Sequence, residues 1–260
     1  MKSEKPYIVG IIPARYGSTR LAAKPLVDLC GKPMIQHVCE RASQATLLDE
    51  VIVATDDDRI VTVVKNFGGN AIMTPASLRS GTDRIAFVAK ELRDADIVVN
   101  IQGDEPLIAP AMIDEAVRPL MNDASIVVGT IVKKIGQSEE ISNPNVVKVV
   151  LDDENNALYF SRSPIPYMRD NNSVESWYTH HTYFKHFGLY VFRREFLLKF
   201  AQWDESKLEK IEKLEQLRIL EHGFKIKATI TEHDSIPIDT AEDAEKVRTI
   251  LQQQKKKFQP

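Results

Sequence analysis

Arg15, Arg20 and Lys24 fall within one run, Pro13-Ala-Arg-Tyr-Gly-Ser-Thr-Arg-Leu-Ala-Ala-Lys-Pro25, that contains no carboxylate. A polyphosphate needs positive charge from several directions. Two guanidinium groups supply planar, bidentate donors and a lysine supplies a mobile point charge. Ser18 adds a hydroxyl donor, and Gly17 lets the backbone come close. The spacing is not Gly-x-x-x-x-Gly-Lys-Ser/Thr, which disfavours a kinase- or ATPase-type phosphate loop. On charge alone the run reads equally well as a solvated basic connection. Its place directly after an apolar strand, where open α/β sheets bind ligands, favours the phosphate reading.

Two separate acids could serve such a ligand. Asp104, in Gln102-Gly-Asp-Glu-Pro106, follows the apolar run Ile97–Ile101. A lone aspartate facing a triphosphate is most useful as a magnesium ligand, although Gly, Asp and Pro also spell a turn. Asp239 precedes the last helix in Pro237-Ile-Asp-Thr240. If the chain folds back so that Asp239 meets Asp104, the two acids hold a metal shared with the nucleotide, as phosphoryl and nucleotidyl transfer require.

Other segments have two readings each. Ser80 and Asp83 of Ser80-Gly-Thr-Asp-Arg84 form a capping box that needs no ligand, while a helix start with Gly81 is also a natural anion or ribose contact. Asp56-Asp57-Asp58 contains the Asp-x-Asp of many nucleotide-sugar glycosyltransferases, but these acids read better as caps of the helix that follows. Arg162 stands alone in an apolar, proline-stiffened frame, Tyr159-Phe-Ser-Arg-Ser-Pro-Ile-Pro166, and suggests a buried anion such as a substrate carboxylate. His186 and Tyr190 share one strand face with Gly188 between them, which leaves room for a ligand or serves packing alone. Glu215 and Gln216 are polar neighbours on an otherwise apolar helix, either binding groups or its wet side.

The elements that position these residues alternate through the first half. Tyr7–Ile12, Val51–Ala54, Ala71–Met73 and Ile97–Ile101 read as strands, and the helical patterns between them predict a parallel, doubly wound sheet. Met34 to Ala45, Asp58–Phe67, Ile85 to Leu92 and Pro110–Met121 are the expected helices. From about 125 to 190 the alternation gives way to strand-like runs, Ile126–Val132, Val146–Leu151 and His186–Phe192, around a polar, aromatic-containing stretch. This predicts antiparallel extension and an excursion carrying substrate contacts or a subunit interface. A helix from Leu208 through Leu220 ends at Gly223, Lys225–Thr231 is a strand, and Thr240 to Asp243 opens the last helix with a capping box.

At 260 residues the chain has room for one large α/β domain or a core with a sizeable insertion. Its net charge of −3 gives no general reason to bind nucleic acid or an anionic membrane. Two cysteines, Cys30 and Cys39, and no apolar N-terminal segment behind a basic start predict a cytoplasmic protein without a disulfide framework. No stretch approaches the roughly 20 apolar residues needed to cross a bilayer. Lys255–Lys257 is expected to be a solvated tail.

Taken in order, Pro13-Ala-Arg-Tyr-Gly-Ser-Thr-Arg20, Ser80-Gly-Thr-Asp-Arg84, Gln102-Gly-Asp-Glu-Pro106, Asn143-Pro-Asn-Val-Val-Lys-Val149, Tyr159-Phe-Ser-Arg162, Leu214-Glu-Gln-Leu-Arg218 and Asp239-Thr240 resemble the 3-deoxy-manno-octulosonate (Kdo) cytidylyltransferases, or CMP-Kdo synthetases, over nearly the whole chain. The resemblance implies a GT-A-like α/β nucleotidyltransferase fold: a mostly parallel central sheet flanked by helices, with an antiparallel excursion for dimerisation and sugar binding. It implies one domain over 1–260, with about 125–190 forming the extension, and a homodimer. The implied reaction is magnesium-dependent activation of Kdo by CTP for lipopolysaccharide synthesis, releasing CMP-Kdo and pyrophosphate. Carried over by position, Arg15, Ser18, Arg20 and Lys24 hold the CTP phosphates, and Ser80 and Gly81 meet the cytidine. Asp104 and Asp239 are the magnesium ligands and, with Arg15 and Lys24, the catalytic set. Arg162 takes the sugar carboxylate, with Gln102, His186, Tyr190, Glu215 and Gln216 around the rest of the sugar.

Three departures from the family pattern stand out. Leu21-Ala22-Ala23-Lys24 replaces the usual Leu-Pro-Gly-Lys, so the loop should be stiffer while its charges survive. Leu78 stands where a histidine is common. Pro237-Ile-Asp-Thr-Ala-Glu-Asp243 replaces Gly-Val-Asp-Thr-Pro-Glu-Asp and keeps both acid and cap. The alternatives are a cytidylyltransferase for 8-amino-Kdo or sialic acid, a glycosyltransferase using Asp56 and Asp58, and a non-catalytic nucleotide or sugar sensor.

Overall fold

Ile8, Val9, Ile11 and Ile12 are all fully shielded from solvent, so both faces of the first strand are covered. That is the mark of a central strand in a parallel sheet. In the computed structural model, which describes residues 5–17, 21–171 and 173–257, this strand is β1 (Ile8–Ala14). A one-turn 3₁₀ helix, Lys24–Leu26, and a small hairpin of β2 (Asp28–Leu29) and β3 (Lys32–Pro33) lead to α1 (Met34–Ala42). Then follow β4 (Glu50–Thr55), α2 (Asp58–Asn66), β5 (Asn70–Met73), α3 (Gly81–Glu91) and β6 (Ile97–Asn100). β1 pairs in parallel with β4 and β6, and β5 pairs in parallel with β4. The predicted parallel order is therefore realised, and the hairpin is an addition too short for periodicity to reveal. These elements belong to the first of two compact units, formed by residues 1–114 and 234–260; α4 (Pro110–Asn122) contains the division.

The second unit, residues 115–233, holds β7 (Val128–Lys134), α5 (Ser138–Ser142), β8 (Lys148–Leu151), β9 (Ala157–Ser161), α6 (Trp177–His180) and β10 (Phe184–Arg193). It continues through α7 (Arg194–Phe200), α8 (Lys207–Glu212), α9 (Leu217–Glu221) and β11 (Lys227–Ile230). β10 runs antiparallel to β7 and β8, β8 antiparallel to β9, and β11 parallel to β7. The antiparallel extension expected over about 125–190 lies inside this unit. The short helices α5, α6 and α7 were not expected, and two further details differ from the sequence reading. Residues 157–161 form a strand, because their apolar side chains pair with β8 before the prolines end it. The single helix expected from Leu208 to Leu220 is broken into α8 and α9, because Lys213 takes a left-handed conformation at φ 54°.

The chain then returns to the first unit and ends in α10 (Ala241–Lys257), opened by the predicted capping box between Thr240 and Asp243. Ala244, Val247 and Leu251 pack with Ile238, Leu29 and Met34 into one buried cluster. The segment that carries Asp239 is thereby fixed against the hairpin that follows Lys24. Among the described residues no helix is long and apolar enough to cross a membrane.

Candidate active site

Lys24 opens its 3₁₀ turn behind Ala23, whose φ of 50° is left-handed. An alanine there carries a strain of roughly 1–2 kcal/mol that glycine would avoid, which gives the Ala22-Ala23 departure a physical consequence. The turn aims the Lys24 ammonium at two carboxylates: Nζ lies 2.6 Å from Asp104 Oδ2 and 2.9 Å from Asp239 Oδ1. The lysine side chain is only 13% exposed, whereas the two acids are 31% and 36% exposed. Burial pulls the Lys24 pKa down, but hydrogen bonds and charge from Asp104 and Asp239 outweigh it and leave the pKa above the ordinary lysine value.

Both acids are held from behind. The amide of Ile238 donates to the Asp104 carbonyl at 2.9 Å, tying the two loops together. The amide of Asp239 donates to Asp243 within the first turn of α10. Gly103 sits so close to β1 that a Cβ there would lie 2.8 Å from the Pro13 carbonyl oxygen. Only glycine lets the Asp104 loop lie against that strand.

Lys24 and Asp104 open on a cleft of about 340 Å³ lined also by Pro13, Arg15, Gly17, Arg79, Ser80, Gly81 and Gln102. Arg15 donates to the carbonyl of Leu78, so the residue at the departed histidine position contributes its backbone. Ser80 Oγ accepts from the Asp83 amide at 3.0 Å, and Asp83 accepts from the Ser80 amide at 3.2 Å. The capping box is formed, and Ser80 and Gly81 also line the cleft. Gln102 donates to the Asn100 side chain at 3.4 Å. Ser18 and Arg20 lie outside the described residues. Arg79, an exposed cation beside Ser80, was not singled out from sequence; its signal was one more positive charge next to a helix start.

Asp104 and Asp239 form a hard-oxygen pair suited to magnesium, which takes one or two carboxylates and fills its other positions with water and substrate phosphates. Among the described residues no group of three or more His, Cys, Asp or Glu side chains forms a self-sufficient metal cage. The Asp-x-Asp acids are engaged elsewhere: Asp56 pairs at 2.8 Å with the fully buried Arg84, and Asp57 caps α2 through the Arg59 amide. Asp58 is exposed at the start of that helix.

In the second unit, the register of β10 on β7 shifts between Phe187 and Tyr190. Thr130 Oγ1 fills the irregularity, donating to the Leu189 carbonyl at 2.8 Å and lying 3.0 Å from His186 Nε2. Burial lowers the His186 pKa to about 3, so the ring is neutral at physiological pH. The His186 and Tyr190 rings stand 5.2 Å apart. The Tyr190 hydroxyl and Gln216 Nε2 are both shielded from solvent without a hydrogen-bond partner. A buried polar group without a partner costs roughly 1–3 kcal/mol. Glu215 and Gln216 sit at the corner between α8 and α9, and Gln216 is buried rather than on a wet face. Arg162 donates to the carbonyls of Glu212 and Pro144 at 2.8 and 2.9 Å. Its own carbonyl receives Lys148, a fully buried cation whose pKa falls to about 8 through burial and the nearby Arg162 charge.

A parallel sheet whose strand ends gather a lysine, two aspartates and a capped helix start is the frame of a nucleotidyltransferase, and residues 9–227 match the cytidylyltransferase family. The 3-deoxy-manno-octulosonate cytidylyltransferase of Geotalea uraniireducens is 54% identical over 244 residues, covering 92% of this chain and 97% of the relative. That of Syntrophus aciditrophicus is 51% identical, covering 94% and 97%. A solved structure of CMP:2-keto-3-deoxy-manno-octonic acid synthetase complexed with CTP superimposes with a TM-score of 0.89 at 44% identity, covering 95% of this chain and 99% of that one. This chain belongs to the 3-deoxy-manno-octulosonate cytidylyltransferase family.

Proposed function

We propose that this protein couples CTP to Kdo, giving CMP-Kdo and pyrophosphate for lipopolysaccharide synthesis. The observation that carries this reading is the convergence of Asp104 and Asp239 on Lys24 beside Arg15 and the N-terminus of α3. The anomeric hydroxyl of the sugar attacks the α-phosphorus of CTP in line; its oxygen forms the new P–O bond and its proton passes to water, while the bond to the β-phosphate breaks and pyrophosphate leaves. No covalent intermediate on the protein is needed. Arg15 and Lys24 neutralise phosphate charge, and the Ser80–Gly81 helix start offers backbone N–H groups to the nucleotide. Asp104 and Asp239 would hold magnesium, which when bound spreads the charge that builds on the phosphate oxygens. Arg162, Gln102, His186, Tyr190, Glu215 and Gln216 are assigned to the sugar. The unpartnered polar atoms of Tyr190 and Gln216 support that assignment, because a polyhydroxylated ligand brings both donors and acceptors.

A homodimer is part of the reading, supported by the exposed apolar side chains Leu158 and Tyr167 in the second unit, 58% and 70% exposed. So is a cytoplasmic location, where CTP is at hand.

The test is pyrophosphate release from CTP with Kdo, 8-amino-Kdo and a sialic acid in parallel, with and without magnesium, and mass analysis of the product. Magnesium-dependent formation of CMP-Kdo at the highest kcat/KM supports the proposal. Preference for another sugar, or CTP binding without turnover, overturns it.

A further inference from the structure

Arg218, on α9, is buried and makes more ordered contacts than a helix cation needs. Its Nε and Nη2 donate to the two oxygens of Glu209 at 2.8 and 2.7 Å, a bidentate pair. Nη1 donates to the Trp203 carbonyl at 2.9 Å, and the guanidinium carbon stands 4.7 Å from the Phe200 ring centroid. Nη2 also reaches Glu215 Oε1 at 3.3 Å. Glu209 in turn belongs to α8, where it accepts from the Ser206 amide at 3.0 Å and closes the capping box.

The corner spanned by this pair cannot hold itself. α8 and α9 have six and five residues, too few to be stable helices alone, and Lys213 between them is left-handed. Yet the corner displays Glu215 and Gln216, and Gln216 Nε2 is shielded from solvent without a partner. Tyr190, whose hydroxyl is likewise shielded and unpartnered, lies within electrostatic reach of Glu215: burial and then the Glu215 charge push its pKa well above the ordinary value. The carboxylate of Glu215 and the amide donor of the next residue can meet hydroxyl groups together only if the corner is rigid.

We infer that Arg218 is a positioning residue: through its buried bidentate pair with Glu209 it presets Glu215, and with it the neighbouring Gln216, for the hydroxyls of the acidic sugar, without touching the substrate itself. The inference rests on the Kdo-cytidylyltransferase reading and deepens it. Lysine at 218 keeps the charge and loses the planar fork. Arg218→Lys should therefore raise the KM for Kdo on the order of ten- to a hundredfold and leave the KM for CTP within about twofold. Glu209→Gln, which keeps the shape of the corner, should do the same more mildly and serves if Arg218→Lys does not fold. If Arg218 acts through Glu215, Arg218→Lys placed in a Glu215→Gln background should add less than about threefold to the sugar KM.

Wild-type enzyme assayed first separates the two ideas. Failure of the wild type to release pyrophosphate from CTP and Kdo overturns the functional reading. Wild-type turnover with an unchanged sugar KM in both single variants overturns the role of Arg218. So does a rise in the CTP KM in step with that for sugar, or full additivity with Glu215→Gln.

Discussion

Asp239 and Lys24, 215 positions apart in the chain, meet at 2.9 Å, and the same ammonium stands 2.6 Å from Asp104. A lysine between two carboxylates offsets their mutual repulsion, and both acids stay partly exposed, Asp104 on the cleft itself. Replacing either acid by its amide should lower magnesium-dependent pyrophosphate release by about a thousandfold with an unchanged circular dichroism spectrum. An Asp239→Asn enzyme of wild-type activity would remove that residue from the catalytic set.

Gly103 carries no functional group, yet it lies where a methyl would press on the Pro13 carbonyl. Gly103→Ala must push the Asp104 loop off β1. We expect kcat/KM to fall by about tenfold or more, since small displacements of a charged group are expensive in rate. Steady-state kinetics beside a thermal melt will distinguish this from unfolding.

Asp56 answers to Arg84, which has no exposure of its own. Asp56→Asn leaves that guanidinium without its counter-charge and should destabilise the fold by about 3–5 kcal/mol. Thermal unfolding should shift downward while the magnesium concentration for half-maximal residual activity stays put. The opposite pattern, an unchanged melt with a raised magnesium requirement, would make Asp56 a metal ligand.

His186 gives the fold an acid-sensitive point. Its pKa is about 3 in the folded protein, against an ordinary value of 6.5. Between those values the unfolded chain binds the extra proton, so stability is lost as pH falls from 6.5 toward 3. His186→Phe removes the titration, and its melting temperature should drop less than the wild type's between pH 7 and 4.5. Equal drops would show that the histidine is not held neutral.

The parallel half of the fold was legible because its strands are short, apolar on both faces and separated by amphipathic helices, so that Ile97–Val99 could be read as nothing else. Ser80 with Asp83 and Thr240 with Asp243 were legible because a cap depends on residues three apart. Less was visible where the conformation depends on long-range pairing. β9 exists because β8 lies beside it, and the break at Lys213 has no glycine to announce it. The partnership of Lys24 with both acids could be posed from sequence only as a condition on how the chain returns. Arg84 and Arg218 were quoted as parts of motifs, but their work, locking Asp56 and the corner before α9, depends on neighbours 28 and 9 positions away.

The chain leaves its first unit after Asp114 and comes back only at Asp234, bringing Asp239 and the helix that seals Leu29 and Met34. During synthesis, a polypeptide already translated as far as His233 owns the basic loop and Asp104 but has neither the second carboxylate nor the cover for that part of its core. The proposed site therefore waits on the returning segment, and a chain cut anywhere before Asp239 lacks the second carboxylate that meets Lys24.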